Sequence, residues 1–303
     1  MKDCIEHGNL VMHETLGLGK VVESTDDRLY VIFRDHGDRK AKRFAQSYQG
    51  LVLSEVQSDS LLDCLPPVVQ EGNNWALPRQ RLTADGAVAR FLGRWPGGFI
   101  DASYHASERA GKLAIHTLFA EQLGDGKLAS LLDEDQLAEA VARTKLVLKE
   151  VVRLKLASSL ETNALAEALE SGKPARAYLK ALDKLLASDD DSALEANYLA
   201  YIKAFSTLPQ VGKGRVFTWS NASLLPSLAK PATHMFMKSD VTKKAGETMG
   251  FDLKYDATPN WTTYAALLKM GRVWGEAVAA LSPADLIDVQ AFIHVTCGGY
   301  DKE

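Results

Sequence analysis

The 303-residue sequence predicts an α+β protein, with a small β-barrel at the N-terminus and a large all-helical domain after it. Two patterns predict this. Between residues 9 and 54, β-branched and aromatic runs alternate with turn residues. Beyond residue 85, apolar residues recur at helical spacing, with acidic and small polar residues where helices start. Residues 57–84 read as a linker between a module at 1–56 and a helical domain at 85–303, because Pro66-Pro67 stops a helix and Glu71-Gly72-Asn73-Asn74 is a loop signal.

The elements follow in chain order. Asn9–His13 alternates around Leu10 and Met12, Gly17-Leu18-Gly19 breaks it, and Lys20-Val21-Val22 resumes it. Leu29–Phe33 is a continuous β-branched and aromatic run between Asp26-Asp27 and His36-Gly37-Asp38, which are turn formers. Arg39–Phe44 and Leu51–Leu53 complete five short strands, enough for a small, highly curved barrel. Helices are expected at Ala87–Arg94, Ser107–Leu123, a long stripe from Val141 to Leu156, Leu160–Glu170, Ala175–Ala187 and Ser192–Phe205. Asp133-Glu134-Asp135 reads as the acidic start of the long helix, and residues 210–215 read as a turn. Trp261–Leu281 and Ala284–Val295 close the chain, the last helix with Ser282 as cap, Pro283 in the first turn and Asp285 completing a capping-box-like pair.

Composition excludes several classes. Hydrophobic residues at 46% and charged residues at 24% describe an ordinary globular chain. No apolar run approaches a membrane span, and the start has no apolar stretch for a signal peptide. Cys4, Cys64 and Cys297 are odd in number and far apart, which points to a reducing, cytoplasmic setting without a disulfide framework. The net charge of −4 is uneven. Residues 121–200 hold ten basic and fifteen acidic side chains, whereas residues 203–254 hold eight basic and three acidic. Such a basic segment attracts phosphate, or it pairs with its acidic neighbour; the sequence leaves both open.

The N-terminal pattern of Gly8, Val11, His13, Gly17, Gly19, Val21, Val22, Val31, Phe33, Gly37, Arg39, Phe44 and Leu51 resembles an SH3-like, Tudor-type module of the kind found at the C-terminus of UvrD-type helicases. The resemblance covers about one sixth of the chain and implies docking onto protein or nucleic acid. Arg39, Lys40, Lys42 and Arg43 then form either a phosphate-contacting edge or a solvated edge strand.

Motifs for common chemistries are missing. No G-x-x-x-x-G-K-[ST], H-E-x-x-H, C-x-x-C or G-x-S-x-G is present, so neither a cofactor nor a metal is expected. Three polar constellations remain. Asp101 and Tyr104 follow Pro96-Gly97-Gly98 and precede Glu108, Arg109, Lys112 and His116; Asp101 either supplies a carboxylate to a pocket or caps the next helix. His234 and Lys238, then Asn260, Trp261 and Tyr264, set rings and an amide among basic residues; that suits an unstacked base, or fills a core. Asp288 interrupts an apolar helix, so when buried it must be paired, with Arg109 or Lys238 as partners, or it carries a raised pKa and catalyses.

The body from Phe91 to Tyr300 resembles a bacterial family that joins a Tudor-type domain to an all-helical one, and more distantly the phage-defence DNA glycosylases. That resemblance implies a metal-independent glycosylase that flips a modified base and cleaves its N-glycosidic bond. Asp101 or Asp288 would be the catalytic carboxylate. Tyr104, His234, Asn260, Trp261 and Tyr264 would line the base pocket, and Lys238, Lys243 and Lys244 would hold phosphates. No L-P-G-V-G hairpin of the commonest helical glycosylases is present. The alternative is a non-catalytic adaptor whose N-terminal module docks on a polymerase, helicase or defence partner. Convergence of Asp101, Asp288, His234 and Tyr264 in one cleft favours the enzyme; acids locked in separate ion pairs favour the adaptor.

Overall fold

The computed structural model describes residues 5–36, 38–78, 82–188 and 190–297; Cys4, Gly37 and Tyr300 lie outside these. The chain forms two compact units. One holds the chain up to Gly86 together with Lys243–Leu253, and the other holds Ala87–Thr242 and the chain from Lys254 onward.

The first unit is built on a curled antiparallel sheet of β1 (Leu10–His13), β2 (Gly17–Ser24), β3 (Arg28–Phe33), β4 (Lys42–Ala45) and β5 (Leu51–Leu53), in the order β4-β3-β2-β1-β5. A register shift between Val21 and Glu23 bends β2, as a bulge does. Gly19 sits where a Cβ would come within 2.7 Å of Val31 and 2.8 Å of Phe33, so the approach of β2 to β3 requires glycine. One face buries Val11, Val21, Leu29, Val31, Phe33 and Leu51. The other buries Val22, Tyr30, Ile32, Ala41 and Leu77, with Leu65, Val68 and Trp75 packed on them. Burial on both faces explains why β3 is a continuous apolar run rather than an alternating one.

The stretch expected as a linker therefore carries part of this core. A 3-10 turn at Leu62–Cys64 and a hairpin of β6 (Val69–Glu71) and β7 (Asn74–Ala76) form within it. The backbone bonds Ala41 N to Trp75 O (2.8 Å) and Leu77 N to Arg39 O (2.8 Å) tie it to the strand region. Residues 243–253 also belong here rather than to the helical domain, through Asp252 N to Cys64 O (3.0 Å) and Leu82 N to Thr248 O (2.5 Å).

Helices α1 (Ala84–Arg94), α2 (Ala102–Tyr104), α3 (Ala110–Leu123), α4 (Lys127–Asp133), α5 (Leu137–Arg153), α6 (Ser159–Ala168), α7 (Lys173–Leu186), α8 (Asp191–Phe205), α9 (Trp219–Ala229), α10 (Ser239–Met249), α11 (Trp261–Ala277) and α12 (Leu286–Thr296) make up the rest. A π-helical turn, His105–Arg109, joins α2 to α3. In the helical unit α3 packs on α5 and α9, α7 on α8, and α11 on α12. Phe91, Trp95, Phe99, Tyr104 and Phe292 form one aromatic core, and Tyr178, Tyr198, Tyr201, Phe205 and Tyr264 another. Two local expectations change. Asp133 ends α4 instead of starting α5, and Asp285, not Ser282, caps α12, accepting from Ile287 N at 2.9 Å. None of the described helices is long and apolar enough to cross a membrane.

Candidate nucleic-acid cleft

The two acids singled out by sequence have separate duties. Asp101 caps α2: its carboxylate accepts from Ser103 N (2.9 Å), Ser103 Oγ (2.6 Å) and Gly97 N (3.3 Å), and the Ser103 bonds hold its pKa below the usual range. Asp288 is 2% exposed and accepts three hydrogen bonds. Its Oδ1 accepts from the Tyr104 hydroxyl (2.5 Å) and Arg109 Nη1 (2.7 Å), and its Oδ2 from Ala284 N (2.8 Å). Arg109 makes a second, two-pronged pair with Asp285, Nη1 at 2.9 Å and Nη2 at 2.7 Å. Burial, then the Asp288 bond, pushes the Tyr104 hydroxyl far up, so it stays a donor. Asp288 is closed off from solvent by its partners, and Asp101 is turned back onto the start of its own helix. The catalytic roles expected for Asp101 and Asp288 are not supported by these surroundings.

The expected base pocket is likewise part of the interior. Tyr104 and Tyr264 are wholly buried. Tyr264 stacks on Tyr198 with centroids 4.0 Å apart, and its hydroxyl meets His234 Nδ1 at 2.8 Å. Burial, with a smaller contribution from Lys230, lowers the His234 pKa to about 4. Asn260 caps α11, accepting from Thr263 N at 2.9 Å, and Trp261 packs against Tyr198. The polar atoms that an unstacked base needs are used by the fold itself.

On the N-terminal unit, Arg39 forms a two-pronged pair with Glu71 (2.8 and 2.5 Å), Lys42 pairs with Asp38 (2.9 Å), and Arg43 donates to Asn73 O (3.5 Å); Lys40 is exposed. Lys243 and Lys244 lie on α10, within the stretch that belongs to this unit. Of the expected phosphate ligands, only Lys238 meets a cleft in the helical unit.

That cleft is where three helices start. Residues at the beginnings of α6, α9 and α10 line a space of about 370 Å³, together with Arg215, Phe217, Lys238 and Tyr255. Ser158 caps α6 and Thr218 caps α9, leaving the other first-turn amides and three dipole ends at one place. Buried Asn221 fixes the arrangement by donating to Glu161 O (3.0 Å) and Val216 O (2.9 Å). Gly214 brings the preceding turn so close to the Leu160 carbonyl that a Cβ would collide with it, and Gln210 closes this turn onto Gly214 O and Val216 N. Arg215 is carried on that turn, mostly exposed, 3.9 Å from Glu161. Lys238 is exposed at the end of the extended stretch before α10. Two carboxylates share the wall, Glu161, whose Oε2 is 3.4 Å from Thr218 Oγ1, and the exposed Asp240.

Sequence reading missed Glu161, Arg215, Phe217 and Thr218. Their signals are Ser158-x-x-Glu161, a capping-box spacing, and the placement of Arg215 with Lys238 inside the basic 203–254 segment. Compared with protein-family models, curated proteins and solved structures, the chain shows no match.

Proposed function

We propose that the protein binds DNA and holds one unstacked nucleotide in the cleft at the starts of α6, α9 and α10. The observation that carries this reading is the meeting of three helix N-termini, Arg215 and Lys238 around a space of nucleotide size. Amide donors and two cations suit a backbone phosphate, and Phe217 and Tyr255 offer ring faces to a base. In this reading a base-removing activity depends on a carboxylate in the cleft wall. Glu161 and Asp240 stand there, whereas Asp101 and Asp288 are committed to a cap and an ion pair.

The test is a DNA titration by fluorescence anisotropy at several salt concentrations. Arg215→Ala with Lys238→Ala weakens binding about 10-fold or more and flattens the salt dependence by about two phosphate contacts. An unchanged affinity in that variant removes the cleft from consideration. Incubation with modified and unmodified DNA in EDTA, followed by alkali, separates excision from binding. Strand cleavage that Glu161→Gln or Asp240→Asn abolishes assigns the glycosylase activity; binding without cleavage leaves a binding protein.

A docking role for the N-terminal sheet is favoured by one observation. Met12 and Val52 oppose each other across β1 and β5 and remain exposed, as does Tyr48. We propose that this curled sheet is the SH3-like, Tudor-type module and that it meets a protein partner there. Replacing Arg39, Lys40, Lys42 and Arg43 together by Ser then leaves DNA affinity unchanged in the same titration; a 10-fold loss reassigns the module to DNA.

A further inference from the structure

We propose that Lys112 is a nucleophilic amine, set in the wall of a small cavity of the helical unit, that forms a Schiff base with a small aldehyde or ketone entering that cavity. The cavity shares no lining residue with the nucleotide cleft. The cavity has about 30 Å³ of space for water, room for about two molecules, and its walls include Lys112, Ser227, His234, Phe236, Ile287 and Gln290. The remaining lining is leucine.

The geometry around Lys112 is specific. Its Nζ lies 3.2 Å from Gln290 Oε1 and 3.4 Å from Glu108 Oε2, with the side chain 19% exposed. Glu108 is presented by the π turn His105–Arg109, whose additional residue shifts the helix register just before α3; such turns recur at functional sites. Gln290 comes from α12, on the same helix as Asp288. The charged and titratable groups around the amine are Glu108 and Asp288, which favour the ammonium, Lys238, which opposes it, and His294 on α12, whose own proton Lys112 disfavours. His234, also in the wall, is neutral at pH 7. Removal from water outweighs the two carboxylates, so the amine loses its proton more readily than an exposed lysine. Withdrawing a lysine from water into an apolar pocket is a recognised way to activate this nucleophile.

The reaction balances without an oxidant or reductant. The amine lone pair adds to the carbonyl carbon, forming a C–N bond, and the carbonyl oxygen takes up one amine proton to give a carbinolamine. The C–O bond then breaks, the second amine proton leaves with that oxygen as water, and an imine remains. Glu108, beside Nζ, passes these protons.

Acetaldehyde with cyanoborohydride tests the proposal on the full-length protein, since the reductant traps the imine as a stable N-ethyl lysine that peptide mass spectrometry can place. At neutral pH Lys112 is alkylated about 10-fold faster than the exposed lysines, and the preference fades at alkaline pH, where a free lysine amine also loses its proton. Lys112→Arg removes the fast site, and unfolding in urea abolishes the preference. If Lys112 in the folded protein reacts no faster than the exposed lysines, the proposal is overturned.

Discussion

Asp288 and Asp101 look alike as acids in an unusual setting, yet their neighbours give them different energetic weight. Asp288 neutralises Arg109 inside the helical unit and also receives the Tyr104 hydroxyl and the Ala284 amide. Removing it strands a buried guanidinium on Asp285 alone. Asp288→Ala therefore costs about 3–5 kcal/mol, whereas Asp101→Ala, the loss of an exposed cap, costs less. Urea unfolding of the two variants checks the ratio; equal, small losses would contradict the buried network. The sequence placed an acid in an apolar helix and named Arg109 as a partner, and that pairing forms. It could not choose between pairing and catalysis, because the choice depends on Tyr104 and Arg109 arriving from about 180 residues away. His234 and Tyr264 illustrate the same limit: their spacing suits a base pocket, and the packing of Tyr264 on Tyr198 and of His234 on Tyr264 makes them core.

Among the elements, β3 carries the clearest message. Its apolar run has no alternation, and a strand of that kind needs cover on both faces. The cover is the 62–77 segment, whose loop-like composition conceals Leu77 and Ala76, both fully buried. Leu77→Ala in this segment costs about 2–5 kcal/mol, a loss a true linker would not show, and thermal unfolding of the variant measures it. The strands and the long amphipathic helices were legible because period and turn chemistry are local. Helices α9 and α10 were not anticipated. α9 is buried almost all round and has Pro226 inside it, so it lacks a polar face to reveal its period. The cleft they help to form was equally hidden, since helix starts separated by up to 81 positions, from Ser158 to Ser239, have no signature in common beyond their caps.

For the molecule as a whole, two imidazoles shifted by burial make stability depend on pH. His234 and His294 are both lowered to about 4, by burial first, then by Lys230 for His234 and by Lys238 and Lys112 for His294. An unfolded histidine titrates near 6.5, so between about 4 and 6.5 the unfolded chain binds more protons than the folded one. The stabilising contribution is complete above 6.5 and is lost as the pH falls toward 4, up to about 3 kcal/mol for His234. Calorimetry across that range shows a falling Tm, and His234→Gln has a shallower slope; an unchanged slope would mean that His234 charges freely in the folded state. The sequence by itself determined the α+β class, the N-terminal strands, most helices and the absence of a long apolar helix span, because each follows from local periodicity and composition. Tertiary structure alone decided which acids are neutralised, that residues 62–77 and 243–253 complete the N-terminal unit, and that three helix starts share a cleft. Those outcomes rest on contacts between residues far apart in the chain, whose energies depend on burial and partner geometry rather than on residue type.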